Sequence, residues 1–216
     1  MSQFLPNIID LLYLIPAILL ALTVHEYAHA YVSYRLGDPT PATDGRLSLN
    51  PFHHLDPMGT IMLILFRFGW AKPVMVNPGY YKKPKQGMAL VAAAGPVANF
   101  ILALISMVIL TVMHKLALAP SPVTTAVMQF FLIFLFINVG LGIFNLIPVP
   151  PLDGSKVIGA FMPDQSYMKF MQLANYGFII VIGLIFLGVL NGPLIWARTA
   201  IINGLQWIAN GLTFFL

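Results

Sequence analysis

The residues best able to do chemistry stand together at His25-Glu26-Tyr27-Ala28-His29. On a helix, side chains four apart share a face. The two imidazoles can therefore bind one zinc ion while the Glu26 carboxylate lies beside it as a general base. Glu26 is the only glutamate in a chain with five histidines. A plainer reading is two helix-facing histidines that merely hydrogen-bond to neighbours. The surroundings weaken it, because the motif interrupts an apolar stretch from Leu11 to Leu36. Ionisable groups in such a stretch are costly and usually functional.

Catalytic zinc takes three protein ligands and keeps one position open. The chain has no cysteine, so the third ligand must be another histidine or a carboxylate. Of six aspartates, Asp153 stands out, closing the run Asn145-Leu146-Ile147-Pro148-Val149-Pro150-Pro151-Leu152-Asp153-Gly154. The prolines must end the preceding helix, leaving an extended, rigid stretch that can hold a carboxylate at fixed depth. Alternatively, Asp153 only caps a helix starting near Gly154. A second ligand-like cluster is His53-His54-Leu55-Asp56. Adjacent strand residues point to opposite sides, so at most one histidine would face the site. His54 is read as structural or substrate-gating rather than metal-binding. Gly95, with Ala92, Ala93 and Ala94, reads as close helix packing. Asn99, one turn on, is placed to contact substrate or to bond across to the motif helix.

Four apolar stretches are long enough to position these groups within a bilayer: Leu11–Leu36, Met88–Met113, Val123–Val149 and Phe170–Leu190. The tail from Pro193 to Leu216 carries only Arg198 and can span or lie at the interface. Asp56–Trp70 holds an apolar run too short to cross, which suggests a re-entrant or surface segment. Alternation at Arg46–Leu49 and Pro73–Val76 predicts short strands. The expected fold is an all-α polytopic membrane protein with four to five transmembrane helices. A small cytoplasmic β or re-entrant segment falls at about 37–81, and residues 1–216 form one domain.

Composition agrees. The chain is 59% hydrophobic and 8% charged, with a mean hydropathy of +0.85, against about 25% charged in a soluble domain. Such a surface belongs in lipid, not in water. The net charge of +4 does not imply nucleic acid, because the basic residues are few and sorted by membrane side. Seven of the eleven Lys and Arg fall between the first two helices: Arg35, Arg46, Arg67, Lys72, Lys82, Lys83 and Lys85. Basic loops stay cytoplasmic. The N-terminus is then expected outside, with the ends of the first and third helices together near the cytoplasmic face. His29 lies seven residues before Leu36, on the order of 10 Å below that helix end.

HEYAH on a membrane helix, Gly95-Pro96-Val97-Ala98-Asn99 in the next, and Asn145 through Gly154 with its Leu-Asp-Gly ending together resemble the site-2 protease family of intramembrane zinc metalloproteases. Leu49-Asn50-Pro51 to Asp56-Pro57 and Ala71-Lys72-Pro73 to Asn77-Pro78 are similar to its compact members, which lack a PDZ or CBS module. The resemblance implies that His25, His29 and Asp153 hold zinc, that Glu26 is the base, and that Asn145 helps hold the substrate or its developing oxyanion. The substrate implied is a membrane protein or peptide in the cell membrane, cut in or near its transmembrane segment. Such a peptide must unwind to expose its carbonyls, and Pro73–Asn77 is the candidate edge for it to pair with. Two other classes remain: a metal transporter holding cargo on the same ligands, and a scaffold that keeps the fold without hydrolysis. The uncharged later helices argue against the first, and an intact Glu26 against the second.

Overall fold

The computed structural model describes residues 8–59 and 71–216. Three helices in it are long and apolar enough to cross a membrane. They are α1 (Ile8–Arg35), α2 (Pro84–Lys115) and α3 (Pro122–Asn145). Proline opens both α2 and α3, where a missing N–H costs nothing. At α3 a capping box adds to this: Thr124 N–H donates to Ser121 Oγ (3.1 Å) and Ser121 N–H to Thr124 Oγ1 (2.8 Å). Two short helices follow, α4 (Asp153–Gly159) and α5 (Asp164–Gln172), and then α6 (Gly177–Phe186) and α7 (Asn191–Leu212).

The fourth expected span is broken. Asp164–Tyr176 and Ile179–Phe186 together are long and apolar enough to cross, but they meet at a 73° bend. The tail becomes α7, which packs on α2 and α3, and Lys115 Nζ donates to the Thr213 carbonyl at 2.6 Å. α2 is the hub, touching α1, α3, α4 and α7. Its Ala103 and Met107 pack with Leu135 and Val139 of α3 and Leu205 and Ala209 of α7. On the α1 side, Ala17 and Ala21 meet Phe134. Small side chains let these backbones approach closely, as helices must where lipid removes the hydrophobic drive to associate. Leu12, Leu20, Ile101, Ile105 and Phe136 are exposed on the outside, an arrangement lipid solvates and water would not.

The strands expected at Arg46–Leu49 and Pro73–Val76 do not form: among the described residues there is one antiparallel bridge, Leu55 to Ala71. Side chains have taken the groups a ladder would use. Val74 N–H donates to Glu26 Oε2 (3.1 Å) and Asn77 N–H to Asp38 Oδ2 (2.7 Å). The buried Arg46 guanidinium donates to the carbonyls of His53 and Lys72. Most of the Asp56–Trp70 run lies outside the described residues. Asp38 is the knot of this region. Burial would raise its pKa, yet donation from Thr40 N–H, Asn77 N–H and Ser33 Oγ holds the carboxyl below the usual carboxylate range. Ser33 belongs to α1, so the knot ties residues 72–77 to the helix that carries Glu26.

Candidate metal centre

α1 presents His25 and His29 one turn apart toward α2. α3 ends at Asn145, and Pro148, Pro150 and Pro151 turn the chain so that α4 begins on Asp153. Gly154 permits this return, because a Cβ there would strike the Leu146 carbonyl. The result is a triangle of donor atoms, all buried. His25 Nε2 lies 3.0 Å from His29 Nε2, and Asp153 Oδ2 lies 3.3 Å and 3.1 Å from the two. Ligands about 2.0–2.1 Å from a tetrahedral zinc ion stand roughly 3.3–3.4 Å apart. The triangle fits that ion with almost no adjustment.

The tautomers fit as well. His29 Nδ1 lies 2.7 Å from the Val91 carbonyl, which can only accept, so Nδ1 carries the proton and Nε2 keeps its lone pair. His25 Nδ1 lies 2.6 Å from Asn99 Oδ1. Two imidazole lone pairs and a carboxylate oxygen at about 3 Å repel one another unless a cation sits among them. Burial opposes charge on the Asp153 carboxyl, whereas Lys156, whose Nζ is 3.6 Å from Asp153 Oδ1, favours the carboxylate that a metal needs.

A cavity of about 180 Å³ opens beside the triangle, walled by His25, His29 and Asp153 together with Glu26, Val74, Asn145 and Lys156. Glu26 and Asn145 thus lie on one wall with the triangle. Of the two roles open to Asn99, the structure shows the bond across to the motif helix: it is fully buried behind His25, 2.6 Å from Nδ1, and does not line this cavity. His54 is also absent from its wall. That side chain is buried with Nε2 2.7 Å from the Ser48 carbonyl, and burial pushes its pKa down.

Four contributors went unread in the sequence: the Val91 carbonyl, the Val74 N–H, Lys156 and Asn138. Backbone groups leave no trace in residue types. Lys156 looked like one more cytoplasmic charge. Asn138, which accepts from Asn99 Nδ2 at 2.8 Å, had a signal, being an amide two turns before Asn145 in a run otherwise apolar from Phe130 to Phe144.

Comparison with known proteins bears on the family to which such a chain belongs. The model of peptidase family M50 matches residues 13–121 and 113–190. A Bacillus subtilis (strain 168) protein, named "Putative zinc metalloprotease YwhC", is 41% identical over 198 residues, covering 91% of this chain and 90% of the relative. Two proteins named "Putative zinc metalloprotease Rip2" are more distant. That of Mycolicibacterium smegmatis is 28% identical over 80% of this chain and 66% of its own length. That of Mycobacterium tuberculosis (strain H37Rv) is 25% identical over 81% and 66%. No solved structure matches the chain significantly.

Proposed function

Because the chain belongs to peptidase family M50 and is a zinc metalloprotease of the site-2 protease type, we propose that it hydrolyses peptide bonds in or near the transmembrane segments of other membrane proteins. The observation that carries this reading is the position of the buried donor triangle and its cavity among helices that present apolar side chains to lipid. His25, His29 and Asp153 would hold the zinc ion. Bound there, zinc would supply Lewis-acid chemistry toward the scissile carbonyl and toward water.

The protein's own groups do the rest. The Val74 N–H holds Glu26 Oε2 in place, leaving Oε1 to accept a proton from the attacking water and pass it to the leaving nitrogen. Asn145 lines the cavity, its amide donating to the Leu141 carbonyl at 3.1 Å, so its side-chain oxygen is free to orient substrate. Lys156 neutralises the outer oxygen of Asp153. A helical substrate hides its carbonyls in its own hydrogen bonds, so the peptide enters unwound, alongside residues 73–77. His54 braces that wall from behind, through the Ser48 carbonyl and the Lys72 N–H that bonds to its own carbonyl.

The purified chain should cut single-span peptides in proteoliposomes, with products whose new ends map by mass spectrometry within or next to the span. Products ending only in distant soluble stretches would defeat the intramembrane reading.

The orientation proposed is a multi-pass cell-membrane protein with its N-terminus outside and its active site near the cytoplasmic face. The supporting observation is the concentration of basic residues between α1 and α2. Single cysteines placed in this cysteine-free chain at Gly45 and Lys83 should react only from the cytoplasm, and one at Ser121 only from outside. Reversed labelling at both loops would overturn this.

A further inference from the structure

A second amide lies behind the zinc ligand His25, and the direction of every hydrogen bond leading to it can be read from one fixed point. That point is the Phe134 carbonyl, which can only accept. Asn138 Nδ2 donates to it at 2.8 Å, so Asn138 must present its oxygen on the other side. Asn99 Nδ2 donates to that oxygen at 2.8 Å, and to the Ala21 carbonyl at 3.3 Å, so Asn99 in turn presents Oδ1 to His25. Only an acceptor stands 2.6 Å from His25 Nδ1, so the imidazole carries its proton there and Nε2 is left as a lone pair. Asn99 and Asn138 are completely buried, so a bond lost between them leaves a buried polar group unpaired. We propose that Asn138 is a positioning residue of the metal centre: acting through Asn99, it fixes His25 in the tautomer and ring orientation that aim Nε2 at zinc.

The chemistry explains why an outer residue is needed. An amide has a donor end and an acceptor end that differ little in shape, so Asn99 alone could turn its NH₂ toward His25. In that orientation His25 would accept at Nδ1 and carry its proton on Nε2, where the metal must bind. The Ala21 contact is long, whereas Asn138 is close and is itself anchored to backbone. A partner that fixes a ligating histidine in this way is typically worth ~10–100-fold in metal affinity.

This inference rests on the reading that His25 ligates zinc, and the test separates the two. The full chain in detergent, stripped of metal, is titrated with zinc against a chromophoric chelator and with cobalt(II) by its visible spectrum. Asn138→Leu should bind zinc ~10–100-fold more weakly and give a weakened cobalt spectrum. Asn138→Asp is the conservative rescue. In this apolar setting its carboxyl stays protonated, so the carbonyl accepts from Asn99 and the O–H donates to Phe134. Its zinc affinity should return close to that of wild type. Should Asn138→Leu fail to fold, Asn138→Ser takes its place, since serine keeps a polar group but is too short to reach Asn99. A role in folding alone would lower the thermal midpoint and leave zinc affinity unchanged. Wild-type affinity in a folded Leu or Ser variant overturns the proposal. A wild-type chain that binds no zinc overturns the zinc reading instead.

Discussion

Glu26→Gln should leave zinc content and folding near native while lowering cleavage by at least ~10²-fold, the scale of general-base catalysis. Such a loss corresponds to about 2.7 kcal/mol of transition-state stabilisation. Three donors already converge on one point, and Glu26 is not among them, so its carboxylate is not needed to hold the ion. Glutamine matches it in size, and its amide oxygen can still accept from the Val74 N–H that holds Glu26 Oε2. What glutamine cannot do is take a proton from water. The variant therefore separates catalyst from ligand, with zinc measured by elemental analysis and cleavage on the same preparation. A carrier of metal would lose little, because His25, His29 and Asp153 remain. Zinc lost in the Gln variant would make Glu26 a ligand. Undiminished cleavage would end the assignment of Glu26 as the base.

Much of this centre could be read from residue types, because its parts are local. The helical spacing of His25 and His29 puts both rings on one face wherever the helix lies, and the prolines before Asp153 stop α3 in any context. Charge sorting then predicts that the ends of the first and third helices share one face. The features that escaped are those set by a neighbour distant in sequence. Residues 73–77 alternate like a strand, but Glu26 and Asp38 capture Val74 N–H and Asn77 N–H, and no ladder forms. Hydropathy identifies Phe170–Leu190 as apolar yet carries no information on a 73° bend within the segment. Asn99 could be placed on the face toward α1, but not behind a histidine whose ring direction depends on an amide of α3.

Gly95 shows the same limit and leads to the second large effect. Small-residue packing of α2 on α1 accounts for a glycine there, yet the contact is with the imidazoles themselves. A Cβ at Gly95 would lie 2.5 Å from His29 Nε2, 2.5 Å from His25 Cε1 and 2.6 Å from His25 Nε2. Neither ring can simply swing aside, because Asn99 grips one and the Val91 carbonyl the other. The methyl group of Gly95→Ala therefore displaces at least one ligand nitrogen, and the loss of zinc affinity should be at least as large as the ~10–100-fold seen when a ligand's supporting partner is removed. Alanine in place of an interior helical glycine favours the helix by roughly 0.5–1 kcal/mol, which offsets part of what the metal-free fold loses when a ring leaves its buried partner. The expected pattern is a chain that still folds without metal, gains little thermal stability from zinc, and cleaves nothing. Full zinc affinity in the folded Gly95→Ala chain would mean that the rings have room this structure does not give them. Equal destabilisation of the metal-free and zinc-loaded forms would make Gly95 a packing residue and nothing more.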